Sequence, residues 1–200
     1  MRKLIIISIC LLLLISGCSS PTPDHLELGK NYSSQEQYQE AISEFGKAIE
    51  LDPNATEAYS LRSHAYSDIK DYDLAIADMS KVIEIEPDNS TFLGFRGILY
   101  SRKGQYMLAI QDFDRAIELG PPNAWVYYKR GTAHATMSHN ELAIADLSSA
   151  IDLDPTMVDA YNVRGQVYSR IGRSDLAATD WNKMLELSID SGEGESSKYK

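Results

Sequence analysis

The sequence has few cysteines, few basic residues and no recognisable catalytic or metal-binding motif, and each shortage excludes a class of protein. Its 200 residues include two cysteines, which are too few for a disulfide-rich scaffold. Lys and Arg number 19 against 29 Asp and Glu, and this charge of −10 argues against nucleic acid as a partner, since phosphate binding needs a basic surface. No Cys/His cluster has zinc spacing, and no glycine-rich phosphate loop, HExxH or Ser/His/Asp spacing occurs. We therefore predict no enzymatic activity, no metal and no cofactor.

The N-terminal eighteen residues have the layout of an export signal. Two basic residues precede the apolar run Leu4–Ile15, which is shorter than the roughly 20 residues that a membrane-spanning helix needs. The run ends in ISGC at residues 15–18, which resembles the lipobox of bacterial lipoproteins. The resemblance implies that residues 1–17 are a signal peptide that is removed and that a lipid is attached to Cys18. An ordinary secretory peptide that happens to contain a cysteine is the alternative.

Residues 18–24 are predicted to form the lipidated cysteine and a short tether. Pro21 and Pro23 favour extended backbone. The six residues 19–24 span at most about 20 Å, which would keep the folded part close to the membrane. Because the chain is acidic, attachment to a membrane would depend on the lipid. Ser19 stands where an inner-membrane retention signal would have Asp. We expect an exported lipoprotein of the cell envelope, in the outer membrane if the organism has two membranes.

A repeat of 34 residues fills the rest of the chain and is marked by four prolines: Pro53, Pro87, Pro121 and Pro155. The units follow one another without insertion and comprise residues 22–55, 56–89, 90–123, 124–157 and 158–191. A period of this length indicates stacked supersecondary units. Residues 192–200 are polar and rich in Gly and Ser, and are predicted to be a disordered tail.

Small and large residues recur at fixed positions of the unit. The eighth position is always small: Gly29, Ser63, Gly97, Gly131 and Gly165. The twentieth is always alanine: Ala41, Ala75, Ala109, Ala143 and Ala177. The twenty-fourth is large: Phe45, Met79, Phe113, Leu147 and Trp181. The eleventh is aromatic in every unit except the fourth, which has His134, a residue we expect to be packed in the core: Tyr32, Tyr66, Tyr100 and Tyr168.

This pattern resembles the tetratricopeptide repeat family over about 170 residues, although the family's usual Trp at the fourth position is absent. The resemblance implies an all-α fold, a right-handed α-solenoid of five helix-turn-helix units over residues 25–191, with the first helix of each unit lining the concave side. The spacing independently predicts two amphipathic helices per unit, near positions 2–14 and 18–30. Proline ends the second helix, and five stacked units share one core.

Charged residues also recur with the repeat. Arginine occupies the seventh position of the last four units: Arg62, Arg96, Arg130 and Arg164. An acid occupies the twenty-third position of every unit: Glu44, Asp78, Asp112, Asp146 and Asp180. The pattern predicts ion pairs, either within a unit or between neighbours. We expect a structural role, with a ladder for anionic ligands as the alternative, because a scaffold repeats with the unit whereas a ligand site should interrupt it.

Positions at which the units differ are candidates for a binding site. At the positions that the resemblance assigns to the concave groove, the candidate partner-binding residues are Lys30, His64, Ile98, Arg102, Trp125, Tyr128, Lys129, Asn162, Gln166 and Arg170. The third and fourth units combine aromatic, aliphatic and basic side chains, the types that contribute most at interfaces. Packing of Trp125 at a seam between repeats is the alternative. The residues with which chaperone-binding members of the family clamp a peptide carboxylate are absent.

These observations predict a non-catalytic interaction scaffold, anchored by lipid to the cell envelope, that presents its groove to a peptide or protein partner and assists assembly of an envelope complex. One alternative is self-assembly into an oligomer, because Trp181, Met184 and Leu185 end the array without a capping helix. A second is binding of a glycan or peptidoglycan through Trp125 and Tyr128.

Overall fold

The structure, a computed structural model, describes residues 24–196. These form ten helices: α1 (His25–Ser34), α2 (Tyr38–Leu51), α3 (Thr56–Asp68), α4 (Tyr72–Ile85), α5 (Ser90–Arg102), α6 (Tyr106–Leu119), α7 (Ala124–Thr136), α8 (Asn140–Leu153), α9 (Val158–Arg170) and α10 (Ser174–Ser196). The predicted signal peptide, Cys18 and the tether as far as Pro23 lie outside the described residues, as do residues 197–200. Within residues 24–196, no helix has the length and apolar character required to cross a membrane.

The helices stack as an all-α solenoid, as predicted. Each helix packs against the next one along the chain, and first helices of neighbouring units also contact one another: α1 with α3, α5 with α7, and α7 with α9. The odd-numbered helices therefore form one layer and the even-numbered helices another. We call the surface of the odd-numbered layer the first-helix face.

Apart from α1, which begins at position 4 of its unit, the observed helices begin one residue earlier than the spacing predicts. In the second unit, α3 occupies positions 1–13 and α4 positions 17–30. The turn between the two helices of each unit contains one residue with positive φ, at the fifteenth position: Glu36, Lys70, Gly104, Ser138 and Gly172. The same backbone turn therefore recurs in all five units, although glycine supplies it in only two of them.

The last helix is longer than predicted. Ile189 occupies the position at which the first four units have proline, so nothing removes a backbone donor there. Helix α10 accordingly continues to Ser196. The helix therefore includes residues 192–196 of the predicted tail, 192–200.

The two helices of a unit meet where the small eighth residue faces the large twenty-fourth residue. In the third unit, a Cβ atom added to Gly97 would lie 2.7 Å from Cε1 of the fully buried Phe113. In the second unit the pair is Ser63 with Met79, both completely buried. Ser63 Oγ there donates a hydrogen bond to the carbonyl oxygen of Ala75 at 2.8 Å. A side chain at the eighth position is thus compatible with methionine opposite it, but not with the phenylalanine ring.

Candidate functional site

The recurring arginines bind acids of their own unit. Arg130 donates from Nε and Nη2 to Asp146 at 2.8 and 2.6 Å. Arg62, Arg96 and Arg164 repeat this two-bond arrangement with Asp78, Asp112 and Asp180. The four aspartates are buried, and their hydrogen bonds raise the pKa of each arginine. These contacts favour the structural role over an open anion ladder.

Three of the arginines also bind the preceding unit. Nη1 of Arg130 donates to Asp114 at 2.6 Å. Arg96 and Arg164 make the equivalent bond to hydroxyls, Ser80 at 3.1 Å and Ser148 at 2.9 Å. The sequence left open whether the charges act within or between repeats, and in the structure they do both. We call this series of contacts the arginine ladder.

The first unit lacks the arginine and has Leu28 in its place. Its acid, Glu44, instead accepts a hydrogen bond from Lys47 and lies 2.6 Å from Nδ1 of His25. Both contacts, that with Lys47 first, lower the pKa of Glu44.

Several candidate groove residues already have partners where two units meet. Lys30 donates to Glu27 and lies 2.9 Å from Glu57 of the second unit, and these contacts raise its pKa. His64 stacks on Phe95 of the third unit with 3.9 Å between ring centroids, and burial lowers the pKa of His64.

The junction of the fourth and fifth units is likewise bridged on this face. Arg170 donates to the carbonyl oxygen of Ala135 at 2.6 Å. Asn162 accepts a hydrogen bond from Gln166 one turn further along α9. The structure therefore does not bring Lys30, His64, Asn162, Gln166 and Arg170 together into one site.

Two cavities open between the third and fourth units, and they share the side chains of Phe95, Ile98 and Trp125. The first has a volume of about 300 Å³ and is lined mainly by apolar groups of α5 and α7, including Val126. We call it the apolar cavity. The second has a volume of about 340 Å³, and its charged residues, Arg102 and Lys129, are both basic. We call it the cationic cavity.

Trp125 and the half-buried Lys129 lie next to each other at the cationic cavity. Trp125 is 39 % exposed although it lies at the seam between two repeats. It is therefore both a packed residue of the seam and a side chain that a partner can reach. Lys129 Nζ lies 5.2 Å from the centre of the Trp125 ring and 4.9 Å from that of Tyr128. Burial lowers the pKa of Lys129 and raises that of Tyr128. Ile98, Arg102, Trp125 and Lys129 thus line one cavity, and Tyr128 lies beside Lys129.

Two groups at the cationic cavity add to the ten candidate residues, and one of them, Ser101, also occupies a position that the resemblance assigns to the groove. Tyr106 comes from the beginning of α6, outside the positions assigned to the groove. Ser101 Oγ is buried at the cavity and forms no hydrogen bond with any residue between 24 and 196. No sequence signal distinguishes this hydroxyl, because its lack of a partner depends on the packing around it.

The histidines do not form a metal centre in the described part of the chain. His134 is 8 % exposed and packed in the core, as predicted, and its Nδ1 lies 3.4 Å from that of His139. Burial lowers the pKa of His134. Between residues 24 and 196, no group of three or more His, Cys, Asp or Glu side chains could hold a metal ion.

The apolar residues at the end of the array are only partly exposed. A Cβ atom on Gly165 would lie 2.6 Å from Trp181, and Met184 packs against the core of the last two units. Leu185 and Ile189 are 54 % and 61 % exposed. Trp181 and Met184 therefore belong to the core of their own unit, whereas Leu185 and Ile189 face outward.

Comparisons with known proteins agree with the repeat architecture. A family model described as TPR repeat matches residues 29–70 and 97–138. Two further models, each described as Tetratricopeptide repeat, match residues 56–89 and 128–193. No curated protein matches the sequence significantly.

Solved structures show the same fold. The crystal structure of MamA is 25 % identical, covers 83 % of this chain and 97 % of its own, and has a TM-score of 0.79. YrrB, described as a TPR protein with an unusual peptide-binding site, is 21 % identical, covers 88 % of this chain and 91 % of its own, and has a TM-score of 0.71.

PilW, described as a widely conserved type IV pilus biogenesis factor, is 20 % identical, covers 82 % of this chain and 76 % of its own, and has a TM-score of 0.73. The likeness to YrrB and PilW concerns the fold alone. Since the three family models together match well over half of the sequence, and the repeats stack as ten helices, the chain belongs to the tetratricopeptide repeat family.

Proposed function

We propose that this protein is a non-catalytic scaffold that binds a peptide segment of a partner protein at the junction of its third and fourth units. The observation that carries the proposal is the pair of cavities that share Phe95, Ile98 and Trp125 on the first-helix face. Aromatic anchors at pockets are the side chains from which interfaces derive most of their binding energy. YrrB shows that this fold can contain a peptide-binding site.

The arrangement of the cavities favours a segment that lies across α5 and α7. The apolar cavity can enclose an aliphatic or aromatic side chain, while Trp125 covers the backbone next to it. His64 holds the Phe95 ring by stacking, so one wall of the site is formed before a partner arrives. Preorganisation of this kind lowers the entropic cost of association.

The test is selection of short random peptides on the purified protein, followed by affinity measurement with variants. We expect Trp125→Ala to weaken binding of the selected peptides by about tenfold or more, the effect of losing a central aromatic anchor. Leu142→Ala is the matched control, because Leu142 is 54 % exposed but lies in the even-numbered layer, on α8. Equal affinity of the wild type and Trp125→Ala would contradict the proposal. A parallel glycan screen that yields ligands where the peptide selection yields none would favour the carbohydrate-binding alternative.

We further propose that the scaffold works at the cell envelope, held by a lipid on Cys18. The support is the ISGC sequence that ends a short apolar segment. Cys18→Ala should abolish incorporation of a labelled fatty acid and move the protein out of the membrane fraction, because two or more acyl chains are needed for stable anchoring. Cys10→Ala removes the other cysteine, which lies within the predicted signal peptide, and should leave labelling unchanged. Full membrane retention of an unlabelled Cys18→Ala protein would refute the lipid anchor.

Self-association is a second candidate activity, and the outward-facing Leu185 and Ile189 favour it. Trp181 is unsuitable as a probe of this contact because it packs against Gly165 inside its own unit. Leu185→Glu changes the exposed surface and leaves the core intact, so the variant should remain folded. A smaller mass in light scattering of this variant would therefore indicate loss of self-association rather than misfolding.

A further inference from the structure

We infer that the junction of the third and fourth units selects an acidic segment: an internal Asp or Glu side chain enters the cationic cavity while a neighbouring bulky apolar side chain fills the apolar cavity. This inference rests on the proposed function and adds the chemistry of the partner. The two cavities are adjacent because they share Phe95, Ile98 and Trp125. One segment can therefore fill both.

The first support is that the two basic residues of the cationic cavity form no ion pair within the described part of the chain. In a chain with more acidic than basic residues, neither Arg102 nor Lys129 forms an ion pair with any residue that the structure describes. The charge of Asp159 acts on Lys129, but Asp159 forms no ion pair with it. Arg102 donates to the hydroxyl of Ser67 at 2.6 Å, and Lys129 lies over two aromatic rings. A carboxylate placed between them would form charge-assisted hydrogen bonds in a partly desolvated site, where such bonds are strong.

The second support is the hydroxyl of Ser101, which lies at the same cavity. Its oxygen is buried and has no hydrogen-bond partner within residues 24–196. Buried polar groups are almost always hydrogen-bonded, so each exception calls for an explanation. A carboxylate oxygen is an acceptor for this O–H group, and it would be held by the same cavity that contains Arg102 and Lys129.

An internal side chain fits the surface better than a chain terminus does. Beyond the cationic cavity the first-helix face continues onto α9, where Asn162 and Gln166 present amide groups. Amides of this kind can hydrogen-bond the backbone of a segment that runs on. The clamp residues by which family members hold a terminal carboxylate are absent from this sequence.

The test uses the full protein and two libraries of short random peptides, one with peptides displayed between two fixed flanks and the other with a free C terminus. We expect the first library to yield peptides with Asp or Glu beside a large apolar residue. In a selected peptide, changing the acid to its amide should weaken binding to the wild type by about tenfold. The double variant Arg102→Met, Lys129→Met should bind both forms of the peptide equally, because the groups that recognise the charge are gone.

The control is Lys103→Met, which removes a neighbouring positive charge that pairs with Asp73 outside the cavity. This variant should retain the preference for the acid. If Trp125→Ala weakens binding of the selected peptides but these peptides are not enriched in Asp or Glu, this inference is overturned and the proposed function stands. Acidic selection only at a free C terminus would also overturn it, whereas peptide binding indifferent to Trp125→Ala would remove the proposed function itself.

Discussion

Exchanging Gly97 for serine should destabilise the protein by about 2 kcal/mol, and adding Phe113→Met should recover most of that loss. The added Cβ atom would meet the Phe113 ring at 2.7 Å, much closer than van der Waals contact. Phe113 is completely buried, so its ring cannot move aside without disturbing the core. The double variant recreates the Ser63 and Met79 pair that the second unit already contains. The new hydroxyl would find the carbonyl oxygen of Ala109, as Ser63 finds that of Ala75.

Urea unfolding of the four proteins in this mutant cycle measures the coupling between the two positions. Gly46→Ala is the control for a change of helix propensity, because its Cβ atom would lie 3.6 Å from Nη1 of Arg62, in ordinary contact. That variant should be more stable by about 0.5–1 kcal/mol, the usual difference between Ala and Gly inside a helix. A Gly97→Ser protein as stable as the wild type, or additive effects in the double variant, would contradict our account of the helix contact.

Replacing Arg130 with methionine should cost about 2–4 kcal/mol, because it leaves two carboxylates without their cation. Asp146 is 5 % exposed and accepts two hydrogen bonds from this arginine. Asp114, in the preceding unit, accepts a third. Methionine preserves much of the apolar stem, so the loss reports the charge and the hydrogen bonds rather than the packing.

Arg115→Met is the matched control for Arg130→Met. Arg115 also contacts two acids, Asp88 and Glu118, but all three side chains are more than half exposed. Exposed pairs contribute little, so this variant should change the free energy of unfolding by no more than about 0.5 kcal/mol. Similar losses in the two variants would show that the arginine ladder is no stronger than a surface ion pair.

Much of the fold follows from the repeat period, because periodic small residues and prolines define both helices and their register. The same pattern explains α10, since the absence of a proline at Ile189 was visible in the sequence and allowed the helix to continue. The pairing of arginines with acids was also predictable from their recurrence. Their second bond, to Ser80, Asp114 or Ser148, was not, because a period does not reveal which neighbouring helix lies within reach.

The candidate site was predictable in composition but not in shape. Ile98, Arg102, Trp125 and Lys129 share one cavity, and the sequence pointed to those two units. Lys30 occupies the same position of the repeat as Ile98, yet it is engaged by Glu27 and Glu57. Whether a groove position is open depends on side chains from the adjacent unit, and these lie about one repeat away in the sequence.

The arginine ladder also implies that the units of this solenoid separate unequally. A repeat array opens where the coupling between adjacent units is weakest. Gly46 stands where the later units have Ser80, Asp114 or Ser148, and it has no side chain to accept a hydrogen bond from Arg62, so the contact that joins later units cannot form between the first two. The first unit should therefore fray before the others, with its amide hydrogens exchanging earliest, while the junction of the third and fourth units stays closed and keeps the shape of its two cavities.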